Sequence, residues 1–127
     1  MPKAGPIVAV LDDESEMRKA LQRLLTIRGF RVLEYASGAD LLHDVGDVPM
    51  DYLLLDLHMP GVNGFDVLEA LWPRQASPAI IVVTAHDEPG VEEQVRTLGA
   101  CAYLKKPVDR NALFAAIAGA TSHTSSP

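Results

Sequence analysis

Three short runs of uninterrupted apolar residues constrain this chain most: Ile7-Val8-Ala9-Val10-Leu11, Tyr52-Leu53-Leu54-Leu55 and Ala79-Ile80-Ile81-Val82-Val83. Runs of this length, bounded by turn residues or acids, read as strands covered on both faces. Between them the apolar period changes to that of a helix. Ser15 can cap a helix whose apolar positions are Met17, Leu21, Leu24 and Leu25, with Gly29 as its stop. Arg31 to Ala36 reads as a second strand with Val32 among its core positions, and Ser37 opens a short helix carrying Leu41 and Leu42. The third strand, Tyr52 to Asp56, is followed by a loop with Pro60, Gly61 and Gly64 and by a helix with Phe65, Leu68 and Leu71. Pro73 and Pro78 bracket the connection to the fourth strand, Ala79 to Thr84. A weaker helix over Val91 to Leu98 closes at Gly99, and Pro89-Gly90 obscures its start. A fifth strand, Ala102 to Lys105, ends at Lys106-Pro107. The last helix, Asp109 to Ala118, turns Leu113, Phe114 and Ile117 inward.

Strict alternation of β and α elements implies an α/β fold with parallel strands, right-handed crossovers and helices on both faces of the sheet. The 127 residues fit one domain, expected over residues 5–120. Thr121 to Pro127, small and polar, reads as a disordered tail or the start of a linker. No internal repeat is visible, and these residues are expected to form no second domain. Seventeen acids against 11 bases, a net charge of −6, argue against direct nucleic-acid binding and against a membrane-surface role. The run Ile7–Leu11 is too short for a signal-peptide core or a transmembrane span, so the cytoplasm is the expected location. Cys101 is the sole cysteine, without an intrachain disulfide partner, and reads as a small buried hydrophobe.

In a parallel sheet all strand C-termini lie along one edge, where ligands bind. That edge collects Asp12 and Asp13 after the first strand, Asp56 at the end of the third, Thr84 at the end of the fourth and Lys106 after the fifth. Three carboxylates in one partly desolvated pocket repel each other and need cationic compensation. A hard divalent ion with oxygen ligands fits, and magnesium suits two carboxylates, waters and a phosphoryl oxygen. The plainer reading, that Asp12 and Asp13 only cap the next helix, loses force once Asp56 ends the neighbouring strand. Lys106 supplies a second compensating charge; strand alternation sends Lys105 to the opposite side. The Thr84 hydroxyl can donate to an oxyanion. His43 and His123 lack companion ligands, which argues against a zinc site.

Asp12-Asp13, Asp56 with Met59-Pro60 and Gly64, Thr84-Ala85 and Lys106-Pro107 together resemble the signature of the receiver domains of two-component response regulators. The resemblance covers about Ile7 to Ala118. It implies a three-layer flavodoxin-like (βα)5 fold with strand order 2-1-3-4-5. It implies that Asp56 accepts a phosphoryl group from a sensor histidine kinase or phosphotransfer protein, and that Thr84 and Lys106 bind phosphoryl oxygens. Magnesium, or manganese in its place, would be held by Asp12, Asp13, Asp56 and the backbone carbonyl of His58. Tyr103 would switch rotamer as Thr84 moves, remodelling the surface of the fourth helix, fifth strand and fifth helix. That surface would meet an output domain, an effector protein or a second copy through the fourth and fifth helices. His58 and His86 would flank the water path that sets the phosphoryl lifetime. Under this resemblance the chain is a phosphoacceptor that promotes its own phosphorylation and dephosphorylation, not a turnover enzyme. It is either a stand-alone receiver or part of a longer regulator.

Competing readings are weaker. A receiver-like module that signals without phosphorylation usually lacks an acid or the lysine, and none is missing here. A flavodoxin-like cofactor binder needs a phosphate-cradling loop where this chain has Asp12-Asp13-Glu14. An aspartate-nucleophile phosphatase commonly carries a second acid two residues after its nucleophile, where this chain has His58.

Overall fold

Apolar continuity along the central strands has a direct structural counterpart: every residue of β1 (Ile7–Leu11) and β3 (Tyr52–Asp56) is buried. With β2 (Arg31–Tyr35), β4 (Ala79–Thr84) and β5 (Ala100–Lys105) they form one parallel sheet in the order β2-β1-β3-β4-β5. The strands alternate with α1 (Ser15–Ile27), α2 (Gly38–Asp44), α3 (Gly64–Leu71), α4 (Val91–Thr97) and α5 (Arg110–Thr124). The computed structural model describes residues 5–71 and 78–124, and side chains only as far as residue 120.

Successive strand residues feed opposite layers, as the two-residue period requires. Ala9, Leu11, Leu53, Leu55 and Val82 pack with Leu41, Val67, Leu68, Leu71 and Val95 of α2, α3 and α4. Val8, Val10, Tyr52, Leu54 and Ile81 pack with Leu21 and Leu25 of α1 and with Leu113 and Ile117 of α5. The expected three-layer fold, with helices on both faces and order 2-1-3-4-5, is the one observed.

Several boundaries differ from expectation, each for a local reason. Ser15 does not cap α1: it is the first helical residue, and the cap position is Glu14, whose side chain makes no capping bond. The Glu14 N–H is taken instead by Asp12 Oδ1 at 2.9 Å. β2 stops at Tyr35, and Val32 is only half-buried on this edge strand. β5 begins at Ala100, two residues early, where the β4 pairing shifts register between Ile80 and Ile81. α5 continues to Thr124, into the expected tail, because Ala115, Ala116, Ala118 and Ala120 are strong helix formers and Ala120 is buried. Pro73 and residues 125–127 lie outside the described residues.

Two polar devices escape apolar patterning. Asn63 and Asp66 cap α3 reciprocally, each side chain accepting the other's N–H at 3.0 Å. At the N-terminal end of the sheet, exposed Asp51 joins three strands. Its carboxylate accepts from Ile7 N at 2.8 Å, its N–H donates to the Ile7 carbonyl, and its carbonyl accepts from Ala79 N.

Gly64 opens α3 directly behind the β3 terminus. A Cβ there would meet Leu57 Cα at 2.6 Å and the Asp56 carbonyl at 2.7 Å, both backbone atoms that cannot yield easily. Gly119 in α5 has nothing within 4 Å of the same position. Gly64→Ala is therefore expected to destabilise the domain by about 1–3 kcal/mol through overpacking. Gly119→Ala is expected to stabilise it by about 0.5–1 kcal/mol through helix propensity. Urea unfolding of the two variants checks the opposite signs.

Candidate functional site

The C-terminal edge of the sheet is organised by one turn made three times. Just after β1, and at the ends of β3 and β4, a side-chain oxygen accepts the backbone N–H two residues further on. Asp12 Oδ1 takes Glu14 N at 2.9 Å, Asp56 Oδ1 takes His58 N at 3.3 Å, and Thr84 Oγ1 takes His86 N at 3.0 Å. Such Asx and Ser/Thr turns let a short polar side chain stand in for a backbone acceptor. They anchor Asp12, Asp56 and Thr84 at the strand ends and reverse the chain above them. The rings of His58 and His86, delivered by two of these turns, meet edge to face with centroids 4.6 Å apart.

Below that rim lies the acidic cluster. Asp12 and Asp56 are 2% and 4% exposed, whereas Asp13 is exposed; one carboxylate oxygen from each lies within 4.8 Å of the others. Burial, reinforced by the charge of Asp12, raises the Asp56 carboxyl to about 6, against the pull of Lys106 and the His58 N–H. Lys106 reaches across from the end of β5. Its Nζ lies 2.9 Å from Asp12 Oδ2, 3.4 Å from Glu14 Oε1 and 3.7 Å from Asp56 Oδ2. Its backbone N–H donates to the Thr84 carbonyl at 2.8 Å, and the Lys106–Pro107 bond is cis. Burial alone would lower the ammonium's pKa, but Asp12, Asp56 and Glu14 together hold it above its ordinary value. One ammonium is shared by three carboxylates, and Asp13 adds a fourth beside them, so the pocket keeps excess negative charge. Its donors are hard oxygens, the set that suits a divalent ion such as magnesium.

The structure brings Asp12, Asp13, Asp56 and Lys106 together as the sequence suggested. Thr84 lies fully buried at the same edge, with its hydroxyl bonded to the His86 carbonyl at 3.3 Å as well as to the His86 N–H. Lys105 points elsewhere, as alternation predicts, into an ion pair with Asp87 at 3.1 Å. Tyr103, two residues earlier on the same side of β5, donates its hydroxyl to Asp87 at 2.9 Å. Burial and that acid push the Tyr103 phenol up to about 12. Asp87 thus ties the β4–α4 loop to two residues of β5, a role that sequence patterning gave no means of finding. Glu14 was also missed; its only signal was its place two residues after Asp12. Cys101 is half-buried with its thiol against the Ile80 carbonyl at 3.2 Å, and burial raises its pKa, consistent with a packing role. His43 pairs with its neighbour Asp44 at 3.2 Å, and the His123 side chain lies outside the described residues. Among the described residues no helix is long and apolar enough to cross a membrane.

Known proteins share this architecture. The family model of the response regulator receiver domain matches residues 8–118. The transcriptional regulatory protein FixJ of Azorhizobium caulinodans is 38% identical over 119 residues, covering 92% of this chain and 55% of that protein. The positive alginate biosynthesis regulatory protein of Pseudomonas aeruginosa is 42% identical over 105 residues, covering 80% of this chain and 41% of that protein. The chain therefore spans about half the length of these relatives, or less. Among solved structures, the FixJ-N crystal structure superposes with a TM-score of 0.85 at 29% identity, covering both chains completely. The response regulator StyR superposes with a TM-score of 0.84 at 30% identity, covering 94% of this chain and 61% of that one. The family match over residues 8–118, with these relatives, shows that this chain belongs to the response regulator receiver family, whose standard role is phosphorylation-dependent signalling.

Proposed function

We propose that Asp56 is the phosphoacceptor of this receiver, fed by a sensor histidine kinase or a phosphotransfer protein in the cytoplasm. One observation carries the assignment: Asp56 is the buried carboxylate at the centre of the edge, 3.7 Å from the Lys106 ammonium. The ionised oxygen of Asp56 attacks phosphorus. A P–O bond forms as the P–N bond of the donor phosphohistidine breaks, and the bond's electron pair leaves with the imidazole, which takes up a proton. Transfer of this kind depends on positioning and charge neutralisation. Asp12, Asp13, Asp56 and the His58 carbonyl are the groups that would hold magnesium, or manganese in its place. When bound, the ion supplies the positive charge that the phosphoryl oxygens require.

The chain's own groups do the rest. Lys106 already bridges Asp12 and Asp56 and takes up a phosphoryl oxygen by a small shift of its ammonium. The Thr84 hydroxyl leaves its 3.3 Å contact with the His86 carbonyl for a second phosphoryl oxygen. Its movement vacates space beside β5, and Tyr103 leaves Asp87 to fill it. The surface of α4, β5 and α5 then changes shape, where an output domain, an effector or a second copy docks. His58 and His86 flank the path of the hydrolytic water. The domain thereby promotes its own phosphorylation and dephosphorylation.

Three outcomes test this. A small phosphodonor such as acetyl phosphate, with magnesium, should add one phosphoryl group to the intact protein by mass spectrometry, and Asp56→Asn should abolish it. No labelling of the native protein would leave a phosphorylation-independent binding module. The second outcome concerns stability. The folded Asp56 carboxyl sits at about 6, above its ordinary 3.8, so folding favours its protonated form. Its destabilising contribution is absent below pH 4, grows as pH rises to about 6, and is constant above. Without divalent ions, Asp56→Asn is therefore expected to exceed native stability by about 1–2 kcal/mol at pH 7.5, allowing for solvent screening. Thermal melts across pH should show that gap closing toward pH 4. Third, Asp87→Ala should lower the Tyr103 phenol from about 12 toward its ordinary 10, followed by NMR of ring-labelled tyrosine. An unmoved titration would show that Asp87 does not hold Tyr103 in solution.

A further inference from the structure

Asp12 is held from four directions. Its N–H donates to the Tyr35 carbonyl at 3.2 Å, its Oδ1 accepts from Glu14 N at 2.9 Å, and its Oδ2 meets Lys106 at 2.9 Å. The fourth contact is made by Arg18, whose Nη1 donates to the Asp12 backbone carbonyl at 2.8 Å. That carbonyl belongs to the peptide plane joining Asp12 to Asp13. Asp13 is exposed, and among the described residues no side-chain hydrogen bond holds its carboxylate. Its place within 4.8 Å of its two partners is therefore set through its backbone.

Arg18 is itself positioned. It projects from the first turns of α1, its Nε lies 3.6 Å from Glu34 Oε1 on β2, and its side chain is only 17% exposed. The planar guanidinium thus serves two partners at once, one in the acidic loop and one on β2. We propose that Arg18 is a positioning residue for the cation site: by gripping the peptide plane between the two acids, it sets where the Asp13 carboxylate lies relative to Asp12 and Asp56. It touches neither the reacting oxygen nor the carboxylates. This inference rests on the reading of Asp12 and Asp13 as the metal-holding pair. Groups that orient metal ligands from outside commonly change affinity about 10–100-fold when lost.

Charge and position predict opposite signs here, which makes the claim separable. By charge alone, removing a cation beside an acidic cluster tightens the binding of a dication. By position, it loosens it. A purely structural strut between α1 and β2 would lower thermal stability and leave affinity unchanged. Magnesium binding to the whole chain is measured by calorimetry, beside thermal midpoints in metal-free buffer, for the native protein, Arg18→Gln, Arg18→Lys and Asp13→Asn. Arg18→Gln is expected to weaken magnesium binding about tenfold or more. Arg18→Lys, which keeps the charge but loses the two-way fork, is expected to weaken it by a smaller factor, with a midpoint near native. Native or tighter binding by Arg18→Gln overturns the proposal. If that variant does not fold, Arg18→Lys decides: native affinity overturns the proposal and weakened affinity at native stability supports it. Asp13→Asn separates the two claims. Native affinity in that variant would refute the metal-holding pair itself, whatever Arg18 does.

Discussion

The ammonium of Lys106, shared between Asp12 and Asp56, is the interaction on which the functional edge depends. Two nearly buried carboxylates at this separation cannot both ionise without a cation between them. Lys106 lowers that cost without cancelling it, and burial beside Asp12 still raises the Asp56 carboxyl to about 6. The residual imbalance is informative. A fully compensated pocket would have no affinity for an added dication or for the phosphoryl group it accompanies. The fold supplies this under-compensated state by bringing four strand ends to one edge, which no local segment of the chain achieves alone.

The two ends of the sheet are built to different specifications. At the N-terminal end, Asp51 commits its carboxylate, N–H and carbonyl to backbone hydrogen bonds with β1 and β4. At the C-terminal end, polar side chains are tied by short local turns, and their remaining valences point at one another. The Thr84 hydroxyl is held by one firm and one long contact within its own loop, and Tyr103 is held by a single acid on an exposed segment. Contacts light enough to exchange lie here, away from the interdigitated layers.

Much of this was legible in the sequence because it follows from apolar periodicity. Runs such as Tyr52–Leu55 and Ala79–Val83 have no other economical arrangement than central parallel strands, and parallel strands force their terminal residues together. The acids and Lys106 could therefore be assembled on one edge before any coordinates. What stayed hidden depends on side-chain reach across non-neighbouring segments. Asp87 is one charged residue in a polar loop, indistinguishable in sequence from Glu88, yet it alone spans to Tyr103 and Lys105. Arg18 looks like any solvated helix arginine until the fold brings Glu34 and the Asp12 carbonyl to its two sides. The expected Ser15 cap is absent because the helix starts one residue earlier than the reading allowed: Ser15 is already helical and Glu14 holds the cap position.

The thrice-made turn at the strand ends divides labour within each loop. Asp12, Asp56 and Thr84 hold the turn through their own oxygens, and the residue two places on contributes only its backbone N–H to that bond. The side chains of Glu14, His58 and His86 are therefore not needed to keep the loops closed. A domain built this way closes its loops with the residues of the floor and leaves the rim side chains free of that duty. Rim side chains can therefore differ from one such domain to another without opening the turns beneath.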